Sequence, residues 1–287
     1  MTDFSDVFYP SHCGRLTLYA RDYGGDGPVV LCLHGLTRNS ADFHHLATRL
    51  SPRFRVIVPD QRGRGRSDRD PDPARYALPE YVGDMGALLD HLGVGPVIPV
   101  GTSMGGLMAM VMAATTPDRS PAMVINDIGP EVATEGLDRI RSYAGRAAPV
   151  GNWAEARDQA AAINRVGYPD YGPDDWDAFA RRTYREDKNG VPVPDYDPLI
   201  AQGLAPDEAA NTSAVTPDLW PIWDTLASIR VLVIRGALSD IITPEIVAEM
   251  ARRHPGLEAV TVPGRGHAPL LDEPEAIVAI DRFLNIR

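Results

Sequence analysis

Apolar and polar positions along this chain follow two rhythms, one with the period of a strand and one with that of a helix. Residues 15–21, Arg-Leu-Thr-Leu-Tyr-Ala-Arg, alternate as a half-exposed strand does. Residues 29–33 and 55–59 are short, nearly continuous apolar runs, the pattern of strands covered on both faces. Between them, 41–50 repeats its apolar residues at helical spacing. Residues 81–92 predict another helix, with Val82, Met85, Leu88, Leu89 and Leu92 on one face. A strand over 97–100, a small-residue helix over 107–114 and a strand over 123–126 continue the series.

From about 131 to about 215 the rhythm breaks. Tyrosines, tryptophans and the turn-forming Pro192, Pro194 and Pro198 gather there, and helices are predicted over 154–166 and 174–187. The rhythm resumes with a strand over 231–235, a helix over 244–253, a strand over 257–262 and a helix over 274–284. Strands alternating with helices predict an α/β fold, a parallel sheet wrapped by helices. The expected organisation is a core of residues 1–130 and 216–287 with a helical cap, 131–215, inserted into it. Such an insertion can fold over the carboxyl edge of the sheet, where open α/β sheets bind ligands.

Composition narrows the function classes. The 287 residues suffice for one large domain with an insertion. Apolar content of 44% and charged content of 23% are ordinary for a globular protein. A net charge of −11 argues against nucleic acid and anionic membranes as partners. Residues 1–11 carry acids and no long apolar stretch, so the expectation is a cytoplasmic protein. Of the two cysteines, Cys32 falls inside a buried strand pattern and reads as a small hydrophobe. Cys13 and Cys32 lack the spacing of a zinc site, so no metal is expected.

Candidate chemistry gathers at the predicted strand ends. The run Pro99-Val100-Gly101-Thr102-Ser103-Met104-Gly105-Gly106 joins a strand to a helix through Gly-x-Ser-x-Gly. That layout is a nucleophile elbow, in which a strained turn pushes the serine hydroxyl out at the sheet edge. Side chains at Gly101 or Gly105 would collide with the neighbouring strand or helix. Pro99 lies inside the preceding strand and cannot donate a ladder hydrogen bond, which a local bulge would accommodate.

Acyl transfer by serine also needs a base, a group that orients it, and donors for the oxyanion. His267, in Gly264-Arg265-Gly266-His267 after the last strand, is the candidate base. His44, His45, His91 and His254 fall on predicted helices and read as surface residues. Asp240, after the strand over 231–235, is the favoured orienting acid, with Asp127 after the strand over 123–126 as its rival. His34-Gly35-Leu36-Thr37 follows the first buried strand. It offers the Leu36 amide to an oxyanion, alongside that of Met104 at the helix start. His34 itself reads as a structural hydrogen-bonder. The segment from Asp60 to Asp68 is Gly/Arg-rich but interleaved with acids, and reads as a salt-bridged turn bracing the site. Arg38, Trp153, Trp176, Tyr184 and Ile242 are the candidate substrate-binding residues, with Ile241 and Leu270 as further walls.

Together, His34-Gly35, Asp60-x-Arg62-Gly63-x-Gly65-x-Ser67-Asp68, Gly101-x-Ser103-x-Gly105-Gly106, Asp240 and Gly266-His267 resemble the α/β-hydrolase family. The resemblance implies a mostly parallel eight-stranded sheet, its second strand antiparallel, with a helical cap after the sixth strand. It also implies attack by Ser103, proton transfer by His267, support of His267 by Asp240, and no cofactor. Ser103 in place of an aspartate argues against the epoxide hydrolases and haloalkane dehalogenases, whose nucleophile is a carboxylate. The reading carried forward is a serine hydrolase for a small, fairly apolar carboxylic ester, lactones included. Carbon–carbon bond hydrolysis of aromatic ring-fission products, a cofactor-free haloperoxidase or perhydrolase, and a ligand receptor remain as alternatives.

Overall fold

The computed structural model describes residues 3–204 and 218–285. In chain order the strands are β1 (Ser5–Pro10), β2 (Thr17–Asp22), β3 (Val29–Leu33), β4 (Arg55–Asp60), β5 (Val97–Thr102), β6 (Ala122–Asn126), β7 (Tyr184–Glu186), β8 (Pro192–Pro194), β9 (Arg230–Gly236) and β10 (Glu258–Val262). The helices are α1 (His44–Leu50), α2 (Leu78–His91), α3 (Met104–Thr115), α4 (Thr134–Tyr143), α5 (Trp153–Asn164), α6 (Pro173–Thr183), α7 (Trp220–Asp224), α8 (Pro244–Arg253) and α9 (Pro274–Phe283).

Eight strands form one sheet in the order β1-β2-β4-β3-β5-β6-β9-β10. β2 runs antiparallel to both its neighbours, and every other pairing in this sheet is parallel. Strand periodicity divides the core into two layers. Leu31, Leu33, Met123, Ile125, Val231 and Val233 face one side, packed with α2, α3 and α8 residues such as Met85, Met108 and Met250. Val30, Cys32, Val124, Leu232 and Ile234 face the other, against Leu46, Ile280 and Phe283 of α1 and α9. Covered on both faces, these strands read as continuous apolar runs. β1 was not foreshadowed by any such run, because of its six residues only Tyr9 is buried.

Other elements differ from the pattern-based expectations for identifiable reasons. α4 has few apolar positions and only Gly136 and Ile140 buried, so its helical pattern is weak in the sequence. The helix expected over 174–187 stops at Thr183, and the chain turns into a two-stranded hairpin of β7 and β8. Pro99 pairs in unbroken register with Leu31, so β5 needs no bulge, and the β5–β6 ladder begins one residue later, at Val100. His254 is buried rather than on the surface, its Nε2 lying 3.0 and 2.9 Å from the carbonyls of Leu226 and Ile229. Cys13 and Cys32 are both free thiols.

Between β6 and β9 the chain leaves the sheet to form α4, α5, α6 and the β7–β8 hairpin. Tyr168, Trp176, Phe179, Ala156 and Ala160 build a separate small core there. The expected boundary between cap and core near 215 lies outside the described residues. Among the described residues no helix is long and apolar enough to cross a membrane.

Candidate active site

The site begins where β5 becomes α3. Ser103 sits between them with φ 53° and ψ −119°, a conformation that non-glycine residues adopt only when their surroundings impose it. Hydrogen bonds impose it here. The Ser103 amide donates to the Asn126 carbonyl at the end of β6 (2.9 Å), and the Ser103 carbonyl accepts from the Gly106 amide (2.8 Å). The flanking glycines are sterically required. A Cβ at Gly101 would lie 2.2 Å from the Gly105 carbonyl oxygen, and one at Gly105 would lie 2.0 Å from that of Leu33.

The structure brings Ser103 and His267 together, with Ser103 Oγ 2.8 Å from His267 Nε2. The opposite ring nitrogen, Nδ1, lies 2.8 Å from Asp127 Oδ2. Asp127 follows β6 directly and is fully buried. Its Oδ1 accepts from the Gly236 amide (2.7 Å) and its Oδ2 from the Ser239 hydroxyl (2.6 Å). An ionised carboxylate only accepts, so it fixes the proton on Nδ1 and leaves Nε2 as the acceptor for the serine hydroxyl.

This geometry corrects the acid expected from sequence. Asp240 is bound bidentately by Arg139 of α4, at 2.5 and 2.8 Å, and makes no hydrogen bond to His267. Burial pushes the Asp240 carboxyl up, but the hydrogen bonds and charge of Arg139 outweigh that and hold it below its ordinary range. Asp240 thus ties a cap helix to the core, and the rival Asp127 occupies the place beside the imidazole.

Further hydrogen bonds align the segments that carry these groups. Asn126 Nδ2 donates to Thr102 Oγ1 (3.0 Å) in the elbow and to the Pro269 carbonyl (2.8 Å) in the histidine loop. The Tyr168 hydroxyl donates to the Ala268 carbonyl (2.5 Å).

Of the expected oxyanion donors, Met104 opens α3 directly after Ser103, and Leu36 lies in the segment after β3. Leu36 lines the pocket, while the Met104 side chain is buried. His34 is fully buried, and its Nε2 accepts from the Gln61 amide (3.0 Å). Its proton is therefore on Nδ1, which donates to the Gly35 carbonyl (2.8 Å) and so orients the peptide whose N–H belongs to Leu36. Burial pushes His34 down to about 4, so it is neutral at neutral pH. Arg64 adds a second brace, donating from Nε to the Leu36 carbonyl (2.9 Å) and from Nη1 to the Arg62 carbonyl (2.7 Å). Its neighbour Arg62 is buried in ion pairs with Asp70 and Asp84.

A cavity of about 70 Å³ opens over Ser103 and His267, with Arg38, Tyr143, Asn164 and Leu270 among its walls. Of the other binding residues expected from sequence, Tyr184 lines a second cavity deeper in the cap. Trp153, Trp176 and Ile242 line neither. Trp153 donates to Glu186 and stacks under Arg181, Trp176 belongs to the cap's aromatic core, and Ile242 is buried in the main core. Ile241 is likewise buried in the core. Tyr143 and Tyr168, tyrosines of the aromatic-rich stretch outside the named candidates, are wall residues, as is Asn164, which no sequence pattern marked. Among the described residues, no cluster of three or more His, Cys, Asp or Glu side chains is arranged to hold a metal ion.

The likeness to known proteins spans the whole chain. A 3-hydroxybutyrate-oligomer hydrolase from Cupriavidus necator is 33% identical, covering 98% of this chain and 96% of its own length. A 2-(acetamidomethylene)succinate hydrolase from Mesorhizobium japonicum is 32% identical over 95% of this chain and 93% of its own. The crystal structure of an alpha/beta hydrolase from Novosphingobium aromaticivorans superposes with a TM-score of 0.91 at 44% identity, covering 99% of both chains. The family model described as alpha/beta hydrolase fold matches residues 28–274, and the chain belongs to that family.

Proposed function

We propose that this hydrolase cleaves a small carboxylic ester through an acyl-enzyme on Ser103, with segment 131–215 serving as the cap over the site. The observation that carries the reading is the unbroken hydrogen-bonded line from Ser103 Oγ through His267 to Asp127, 2.8 Å at each step. His267 Nε2 takes the hydroxyl proton as Ser103 attacks the ester carbonyl. Asp127 stabilises the imidazolium so formed, and the Leu36 and Met104 amides receive the oxyanion. His267 then protonates the departing alkoxide, and water activated by the same nitrogen releases the acid. The name of the Cupriavidus necator relative supports ester chemistry, since oligomers of a hydroxy acid are joined by ester bonds. A small molecule is the partner this site suits.

The test is hydrolysis of 4-nitrophenyl esters from acetate to decanoate, and of the linear dimer of 3-hydroxybutyrate, by wild type and Ser103→Ala. The expected result is turnover by wild type and a loss of at least about a thousandfold in the variant, with the fold retained. A variant keeping a tenth of the rate would contradict the reading. Hydrolysis of a bond other than an ester, carbon–carbon cleavage included, is the second reading. The relative named 2-(acetamidomethylene)succinate hydrolase favours it. It wins if a ring-fission dienoate or an acetamido-substituted diacid turns over while every ester is slow.

A further inference from the structure

Beyond the catalytic pocket, a second chamber of about 50 Å³ opens into the cap and shares Thr37, Arg38, Tyr143 and Asn164 with it. That is several times the roughly 10–15 Å³ one water needs. Among the described residues lining the chamber, Arg38 is the one charged side chain, and the rest are apolar, hydroxyl or amide groups. Its counter-ion, Asp42, lines the catalytic pocket but not the chamber.

Arg38 is held in one orientation. Its Nε and Nη2 donate to Asp42 Oδ2 and Oδ1 at 2.5 and 2.6 Å, and its guanidinium lies 4.2 Å over the Phe179 ring of α6. Asp42 uses one edge of the fork and two of the five N–H groups. The other edge, Nη1 with the second hydrogen of Nη2, bonds to no acceptor among the described residues. Nη1 is not among the buried polar atoms left without a partner, so it borders open space. Arg38 is also close to the chemistry. A methyl group on Gly35 would lie 3.6 Å from both Ser103 Cβ and Arg38 Cγ, so the nucleophile and the arginine flank one floor.

We propose that the free edge of Arg38 receives a carboxylate of the substrate, so that the preferred substrate is an ester carrying a free carboxylate a few bonds from the scissile carbonyl. A planar, pre-oriented fork matches a carboxylate bidentately. Asp42 cancels most of the net charge, so the chamber selects by hydrogen-bond geometry more than by long-range attraction. This inference rests on ester hydrolysis at Ser103 and adds the substrate class to it.

The experiment compares the linear 3-hydroxybutyrate dimer with its terminal amide, which has the same scissile ester and no carboxylate. Wild type should favour the acid by about tenfold or more in kcat/KM, chiefly through KM, and Arg38→Gln should bring the ratio near one. An unchanged ratio in Arg38→Gln overturns the proposal. Absence of turnover on both substrates would instead sink the ester reading. Binding of 3-hydroxybutyrate to Ser103→Ala, measured by calorimetry, then tests Arg38 separately. Adding Arg38→Gln should weaken it about tenfold or more, and equal affinities would overturn the proposal.

Discussion

Asp127 and Asp240 both follow a strand of the sheet, and each could reach the histidine loop on topology alone. Their surroundings separate them. Asp127 is fully buried, and its oxygens take an amide, a hydroxyl and the imidazole N–H. Asp240 keeps 20% of its side chain exposed, and Arg139 holds both its oxygens. A carboxylate already neutralised by a bidentate guanidinium has little left to stabilise an imidazolium. The loop of Asp240 nonetheless serves the site through its neighbour. Ser239 donates to Asp127 and accepts from the amides of Ile241 and Ile242 at 3.2 and 3.3 Å. One loop thus supplies the acid's orienting donor and, one residue on, the anchor for the cap.

The largest expected effect lies in the paired amide substitutions. Asp127→Asn should lower kcat by about ten-thousandfold while preserving the fold, because an amide can stabilise the wrong imidazole tautomer. Asp240→Asn should change it by less than about tenfold. Steady-state kinetics on one 4-nitrophenyl ester compares them, and the reverse ranking would break the distinction. Ser239→Ala comes next. It removes one hydrogen bond to a charged acceptor, so kcat should fall about ten- to a hundredfold, with KM little changed. A loss as large as that of Asp127→Asn would mean that Ser239 does more than orient the acid.

The smallest effect is on stability. Arg139→Gln or Asp240→Asn should each cost about 1–2 kcal/mol at pH 7, less than a fully buried pair because both side chains are partly exposed. The double variant should recover part of that cost, as measured by urea unfolding. The folded Asp240 carboxyl titrates below its unfolded value. Its contribution is therefore complete above the unfolded value of about 3.9 and is lost as pH falls through the folded one. The Tm gap between wild type and Asp240→Asn should accordingly narrow below about pH 4. A gap that widens on acidification would contradict the ion pair.

What sequence could reveal follows from how local each constraint is. The elbow is written within five residues, because backbone sterics alone demand glycine at 101 and 105. The buried strands are legible because both faces are covered, so β3 and β9 appear as plain apolar runs. The choice of acid is not local. It turns on Arg139, which lies 101 residues before Asp240 on a helix with few apolar positions. The tryptophans of the cap misled in a similar way. Trp176 is spent on the cap's own core, where Tyr168, Tyr171 and Phe179 surround it at ring distances of 6.1, 5.1 and 5.5 Å. The pocket walls instead fall to Tyr143 and Asn164, the last residues of α4 and α5. Position at the end of an element carries no periodicity.

The most direct measurement is proton NMR of the His267 ring N–H far downfield, where an Nδ1 proton shared with a buried carboxylate resonates. If Asp127 is the partner of His267, wild type and Asp240→Asn should both show the resonance and Asp127→Asn should lose it. A resonance that survives in Asp127→Asn and vanishes in Asp240→Asn would contradict the assignment of Asp127 as the acid of the site.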